Sequence, residues 1–265
     1  MSERGSLGHG RTIRPQLESA RPSRRRTTMT TKKIIVKSVA VTAVIAGLLA
    51  PAMATAQEGP VMLKATQMAG KIEPMAVDAA SWKTVPAREI ALDTAPSVHE
   101  AISGEAAIKR IRVQVARNED GVFFRLQWKD KTAETKVRKL DGFLDGVAIQ
   151  FAVDRDRATS PIMGGEGKLV NIWYWSATAN KGQNLGANGF GTLTPLATQD
   201  VTATGKYRNG AWTVIFHRPV KSTEAQAVKF DGTGEWPVAF AVWDGANKER
   251  DGLKAVNVEW QTLTF

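Results

Sequence analysis

The sequence predicts an all-β protein, an antiparallel β-sandwich, on three observations. Short runs rich in Val, Ile, Phe and Trp recur along the chain, several with period-two alternation. Gly, Asn and Asp clusters separate them. No stretch beyond residue 56 carries a long apolar period of about 3.6 residues.

The elements follow in chain order. Ser81-Trp82, with Val85, Ile90 and Leu92 behind it, reads as a loop leading into a first strand. Ile111–Val115 alternates cleanly, and Val122–Trp128 follows the reversal Asn118-Glu119-Asp120-Gly121, where glycine tolerates a positive φ. Val147–Val153 and Leu169–Ser176 are two further strands. Val201–Tyr207 and Trp212–Phe216 flank Arg208-Asn209-Gly210, a hairpin signature. Val238–Trp243 is nearly all apolar, which predicts burial on both faces. Ala255–Phe265, alternating at Val256, Val258, Trp260 and Leu263, closes the chain.

The chain has 265 residues, a 43% apolar fraction and a net charge of +10. The first 56 residues carry ten of the 36 Lys/Arg and two of the 26 Asp/Glu, leaving 26 bases against 24 acids. The basic excess therefore belongs to the leader, and a nucleic-acid partner is set aside. Lys32-Lys33-Ile34-Ile35-Val36-Lys37 is a positive n-region, Ser38–Ala50 an apolar run too short to span a bilayer comfortably, and Ala54-Thr55-Ala56 a cleavage site before Gln57. Residues 29–56 thus read as a signal peptide starting at Met29. Residues 1–28 read as an untranslated or disordered extension, and 57–265 as the exported domain. This predicts a periplasmic protein with no membrane span after cleavage. The absence of cysteine rules out disulfides, thiolate metal sites, iron–sulfur ligation and the Cys-x-x-Cys-His attachment of a c-type haem.

No catalytic set is visible. The exported part has two histidines, His99 and His217, and no nucleophile elbow, zinc motif or phosphate loop. Asp141 and Asp145 are a potential carboxylate pair, but turn chemistry before a strand accounts for both. Gly164-Gly165-Glu166-Gly167 lacks the residues of a phosphate loop and reads as an ordinary one. Met163 stands at the head of that loop, ahead of the aromatic strand Ile172-Trp173-Tyr174-Trp175. A thioether is a soft neutral ligand suited to haem iron, although composition alone favours a gap-filling core methionine.

Asp145-Gly146-Val147-Ala148-Ile149-Gln150-Phe151, Met163-Gly164 and Val170-Asn171-Ile172-Trp173-Tyr174-Trp175 together resemble the haem-binding gamma subunits of ethylbenzene dehydrogenase, dimethylsulfide dehydrogenase, selenate reductase and chlorate reductase. The resemblance runs on in order through Asn209–Val214, Arg218-Pro219-Val220, Ala239–Gly245, Glu249-Arg250 and Gly252-Leu253-Lys254. It implies an immunoglobulin-like or DOMON-like sandwich with a non-covalent haem b held between loops at one sheet face. It further implies a methionine–lysine axial pair. Met163 matches the methionine; Lys221 is the choice for the lysine by spacing, with His217, Lys206 and Lys229 as alternatives. Gly164, Trp173 and Trp175 are expected at the cofactor. The resemblance makes the chain a subunit without catalysis of its own. It would relay electrons between a molybdenum alpha subunit with an iron–sulfur beta subunit and a soluble c-type cytochrome.

Two other readings stand beside it. A secreted carbohydrate-binding sandwich predicts exposed coplanar tryptophans and no role for Met163. A structural subunit that has lost its haem predicts a pocket filled by side chains.

Overall fold

The computed structural model describes residues 59–69, 76–97, 99–100, 102–138 and 140–265; the expected leader and extension lie outside them. Two β-sheets pack face to face. The larger sheet runs in the order β1 (Met62–Lys64), β15 (Gln261–Thr264), β13 (Glu235–Trp243), β7 (Gly146–Ala152), β8 (Val170–Ser176), β9 (Gly182–Ala187) and β10 (Thr194–Pro195). The pair β14 (Ala255–Val256) and β4 (Asp93–Thr94) is attached alongside β13. The smaller sheet runs β11 (Thr202–Tyr207), β12 (Ala211–Arg218), β6 (Val122–Lys129), β5 (Arg110–Arg117) and β2 (Thr66–Gln67), with β3 (Ala87–Ala91) also on β5.

The all-β sandwich expected from the alternation is what forms. It is antiparallel except where β1 joins β15 and β2 joins β5, both parallel. Those two short strands belong to one segment that passes from sheet to sheet at Ala65, whose N–H donates to the Thr264 carbonyl at 2.8 Å. The hairpin over Arg208-Asn209-Gly210 pairs Tyr207 with Trp212, and both central residues take positive φ (53° and 73°), as a type I′ turn requires. At Asn118–Gly121 the reason for glycine differs from the expected one. Its φ is not positive; a Cβ there would lie 2.3 Å from the Arg218 carbonyl, so close backbone approach demands it. The turn itself is closed by the Asn118 side-chain oxygen, which accepts from the N–H groups of Asp120 (3.0 Å) and Gly121 (3.1 Å).

Ser81-Trp82 falls in a short 3₁₀ helix, Ala80–Thr84, rather than a loop. The closing segment is broken in two. Between β14 and β15 the Asn257 side chain accepts from the Phe240 N–H at 2.6 Å, and four residues bulge outward opposite β13.

Strand alternation divides the larger sheet into two faces. Val147, Ile149, Phe151, Trp173, Trp175, Val238, Phe240 and Val242 turn inward and meet Phe124, Trp128, Trp212 and Phe216 of the smaller sheet in the main core. Ala148, Ile172, Leu185 and Ala239 turn outward and form a second apolar cluster with Trp260. The outward face is therefore apolar as well, and loops cover it.

Candidate functional site

On that outward face lies a cavity of about 610 Å³, within the usual size of a small-molecule site. Its floor is set by Ala148 on β7 and Ala239 and Ala241 on β13, whose methyl side chains leave the sheet surface flat and open. Tyr174 on β8 and Trp243 on β13 stand beside it edge to face, with ring centres 5.6 Å apart. Loops supply the walls: Val137, Phe143 and Leu144 before β7, Pro161 to Met163 before β8, Phe190, Gly191 and Leu193 after β9, and Glu249 to Gly252 with Lys254 before β14.

Met163 lines the cavity and packs against the outward cluster. Its backbone lies in the left-handed region at φ 65°. Two bonds hold it there: its N–H donates to the Gln150 side-chain oxygen at 3.0 Å, and its carbonyl accepts from the Gly189 N–H at 2.8 Å. Gly164 follows at φ 70°, and a Cβ there would come within 2.4 Å of the Lys168 carbonyl.

Lys254 comes to the same cavity from the opposite loop. It is only 7% exposed. Its ammonium lies 5.1 Å from the centre of the Trp243 ring and donates to the Asp251 carbonyl at 3.3 Å. No ion pair to it occurs among the described residues. Burial pushes its pKa down to about 8, against the opposing charge of Asp251. This amine is therefore far easier to deprotonate than a surface lysine. Beside it, the Arg250 guanidinium stacks over Phe143 at 4.7 Å and adds a positive charge to the lining. Glu249 is buried. Its carboxylate accepts from the N–H groups of Ala107 (2.7 Å) and Asp244 (3.1 Å), while burial pushes its pKa up.

Of the residues singled out from sequence, Met163 lines the cavity and Gly164 shapes its loop. Trp173 and Trp175 do not reach it. Both are 0% exposed on the inward face, their indoles donating to Asn171 (3.1 Å) and Asn180 (2.9 Å). Tyr174, between them, takes the outward position, because one strand step reverses the face. Lys221 is exposed in the loop after β12 and does not line the cavity. His217 lies on β12 in the other sheet, stacked on Phe123 at 4.5 Å. Lys206 pairs with Asp78 at 2.6 Å, and Lys229 donates to the carbonyls of Ser222 (3.1 Å) and Glu224 (2.9 Å). The lysine at the cavity is Lys254, in the Gly252-Leu253-Lys254 segment, which the sequence marks as part of the family resemblance and not as a ligand candidate.

A family model described as ethylbenzene dehydrogenase matches residues 79–195 and 191–255. Chlorate reductase subunit gamma of Ideonella dechloratans is 36% identical over 240 residues, spanning 91% of this chain and 100% of that one. The ORF7 product of Haloferax mediterranei, provisionally named a respiratory nitrate reductase heme subunit, is 32% identical over 93% of this chain and 86% of its own length. Among solved structures, a family 9 carbohydrate binding module from Caldicellulosiruptor kristjanssonii in complex with glucose aligns with a TM-score of 0.43 and 11% identity. The alignment covers 77% of this chain and 94% of the module.

Proposed function

The chain belongs to the ethylbenzene dehydrogenase family, and from that premise we propose that it is an electron-transfer subunit holding one b-type haem, without covalent attachment, in the cavity on the outer face of the larger sheet. The observation that carries this reading is the meeting at one apolar cavity of a thioether and a buried amine that joins no ion pair among the described residues, Met163 from one loop and Lys254 from another. The heme subunit among the relatives and the gamma subunit of chlorate reductase support it. A haem bound there supplies a one-electron iron couple.

The donor set fits such a group. The alanine floor is flat, the Met163 sulfur is a soft neutral donor, and Lys254 needs little further change to give up its proton. Met163 and Lys254 would hold the iron, with Lys254 replacing Lys221 as the lysine ligand. Tyr174 and Trp243 exclude water from one edge. Arg250 offers a positive charge to the carboxylates of a propionate-bearing macrocycle. With no cysteine in the chain, packing and axial ligation are the only means of retention.

In this reading catalysis belongs to partner subunits, a molybdenum subunit with an iron–sulfur subunit. A soluble c-type cytochrome lies on the other side of the relay, in the periplasm, after export by residues 29–56. The carbohydrate reading fares worse. Seven of the eight tryptophans are buried and Trp243 is half-buried in the cavity wall, so none forms an exposed stacking platform.

The test is spectroscopic. Protein from a haem-replete host should show a Soret band, with sharp α and β bands on reduction, and acidified acetone should extract the pigment. Met163→Ala and Lys254→Ala should each abolish the low-spin spectrum, while Lys221→Ala and His217→Ala keep it. A low-spin spectrum that survives Lys254→Ala removes the lysine assignment. A colourless protein that does not take up hemin removes the whole reading.

A further inference from the structure

Behind one cavity wall, three carboxylates converge where the chain leaves β6 and later enters β7. Asp130, Glu134 and Asp145 each bring an oxygen to a cluster in which all three lie within 4.8 Å of one another. Most of their oxygens are accounted for. Asp145 accepts from the N–H groups of Gly245 (2.9 Å) and Glu134 (2.7 Å) and from the Trp212 indole (2.9 Å). Glu134 accepts from the Thr132 hydroxyl at 2.9 Å, and Asp130 Oδ1 from the Thr132 N–H at 3.1 Å. Asp130 Oδ2 has no hydrogen-bond partner among the described residues, although the residue is only 4% exposed. A buried carboxylate oxygen without a donor is costly, and native structures rarely leave one.

Charge sharpens the anomaly. Asp244 lies near enough to repel Asp130 as well. None of these four acids joins an ion pair among the described residues. Burial, then repulsion by Asp145, pushes Asp130 up to about 7, and burial pushes Asp145 up to about 6.

We propose that Asp130, Glu134 and Asp145 bind one Ca²⁺ ion, with Asp130 Oδ2, which has no partner among the described residues, as one ligand. All three donors are hard oxygens, the class that Ca²⁺ and Mg²⁺ prefer. Oxygens bound to one Ca²⁺ at about 2.3–2.6 Å lie at most roughly 5 Å apart, so the cluster is within its span. Ca²⁺ also accepts irregular surroundings completed by water, whereas Mg²⁺ demands an octahedron. The ion would tie both ends of the 130–145 segment, whose Val137, Phe143 and Leu144 line the cavity. The site stands independently of what the cavity holds.

Terbium provides the measurement, because it replaces Ca²⁺ and is excited through a nearby indole, here that of Trp212 on Asp145. Tryptophan excitation of the full chain should give saturable Tb³⁺ emission that Ca²⁺ displaces, and millimolar Ca²⁺ should raise the unfolding temperature. Asp130→Asn and Glu134→Gln should each weaken binding by about tenfold or more, since even outer-shell changes reach that size. Asp141→Asn, on the same segment but paired with Lys248, should leave binding unchanged. Absence of saturable emission and of any Ca²⁺-dependent shift overturns the site. So does binding that both Asp130→Asn and Glu134→Gln leave intact, and binding of Mg²⁺ in place of Ca²⁺ overturns the choice of ion. The Soret band is read separately, so loss of one assignment leaves the other standing.

Discussion

A methionine held at φ 65° carries a cost of about 1–2 kcal/mol that glycine avoids. Met163 keeps that conformation because Gln150 and Gly189 bond its backbone from either side, and the result is a thioether presented at the cavity. Lys254 makes the opposite departure from habit: a lysine normally stays in water, and this one is buried beside Trp243. Neither exception was equally legible in sequence. Met163 drew attention through its Gly-rich neighbourhood, whereas burial of a lysine depends on loops distant in the chain. His217 gives a prediction at this scale. Burial holds its pKa below the usual 6.5, against a weaker opposing pull from Asp120. The unfolded chain therefore binds more protons in that window, and stability is lost as the pH falls through 6.5. Denaturant titrations at pH 7.5 and pH 5 should show this loss, and His217→Phe, which keeps the stack on Phe123, should reduce it.

Loops and strands differ in how they specify themselves. The Asn209-Gly210 hairpin was readable because its turn type needs residues that tolerate positive φ. β9, with the sequence Gly-Gln-Asn-Leu-Gly-Ala, lacks the β-branched pattern and was missed. It exists because β8 offers it a full ladder from Val170 to Trp175. The glycines at two turns should respond unequally to a methyl group. Gly210→Ala meets no atom closer than 3.6 Å, so only its φ of 73° opposes it, at about 1–2 kcal/mol. Gly164→Ala adds a clash 2.4 Å from the Lys168 carbonyl to the same φ problem. Equilibrium unfolding should show the larger loss for Gly164→Ala, and haem uptake should weaken only in that variant, because its loop carries Met163.

The two faces of the larger sheet divide labour across the whole molecule, one joining the sheets and the other flooring the cavity. Trp173 packs against Phe124, Phe151 and Phe230 within the main core. Trp173→Ala should therefore cost about 3–5 kcal/mol in denaturant unfolding. At temperatures where the variant is still folded, its haem spectrum should match the parent. Trp243→Ala should do the reverse, disturbing the spectrum for a smaller loss of stability, since its ring is half-buried against the cavity. Equal effects of the two substitutions on the spectrum would contradict this separation of faces.

Period-two alternation and turn residues were enough for the all-β class and most strand positions, since both are local consequences of backbone geometry. The ordered series from Asp145 to Lys254 was enough for the family. Which face of β8 looks into the cavity and which lysine reaches it were decided by tertiary structure. So was the meeting of Asp130 and Glu134 with Asp145, which sequence alone assigned to a turn. The physical reason is shared: burial, and with it the state of an amine or a carboxylate, is set by what other segments of the chain place around it.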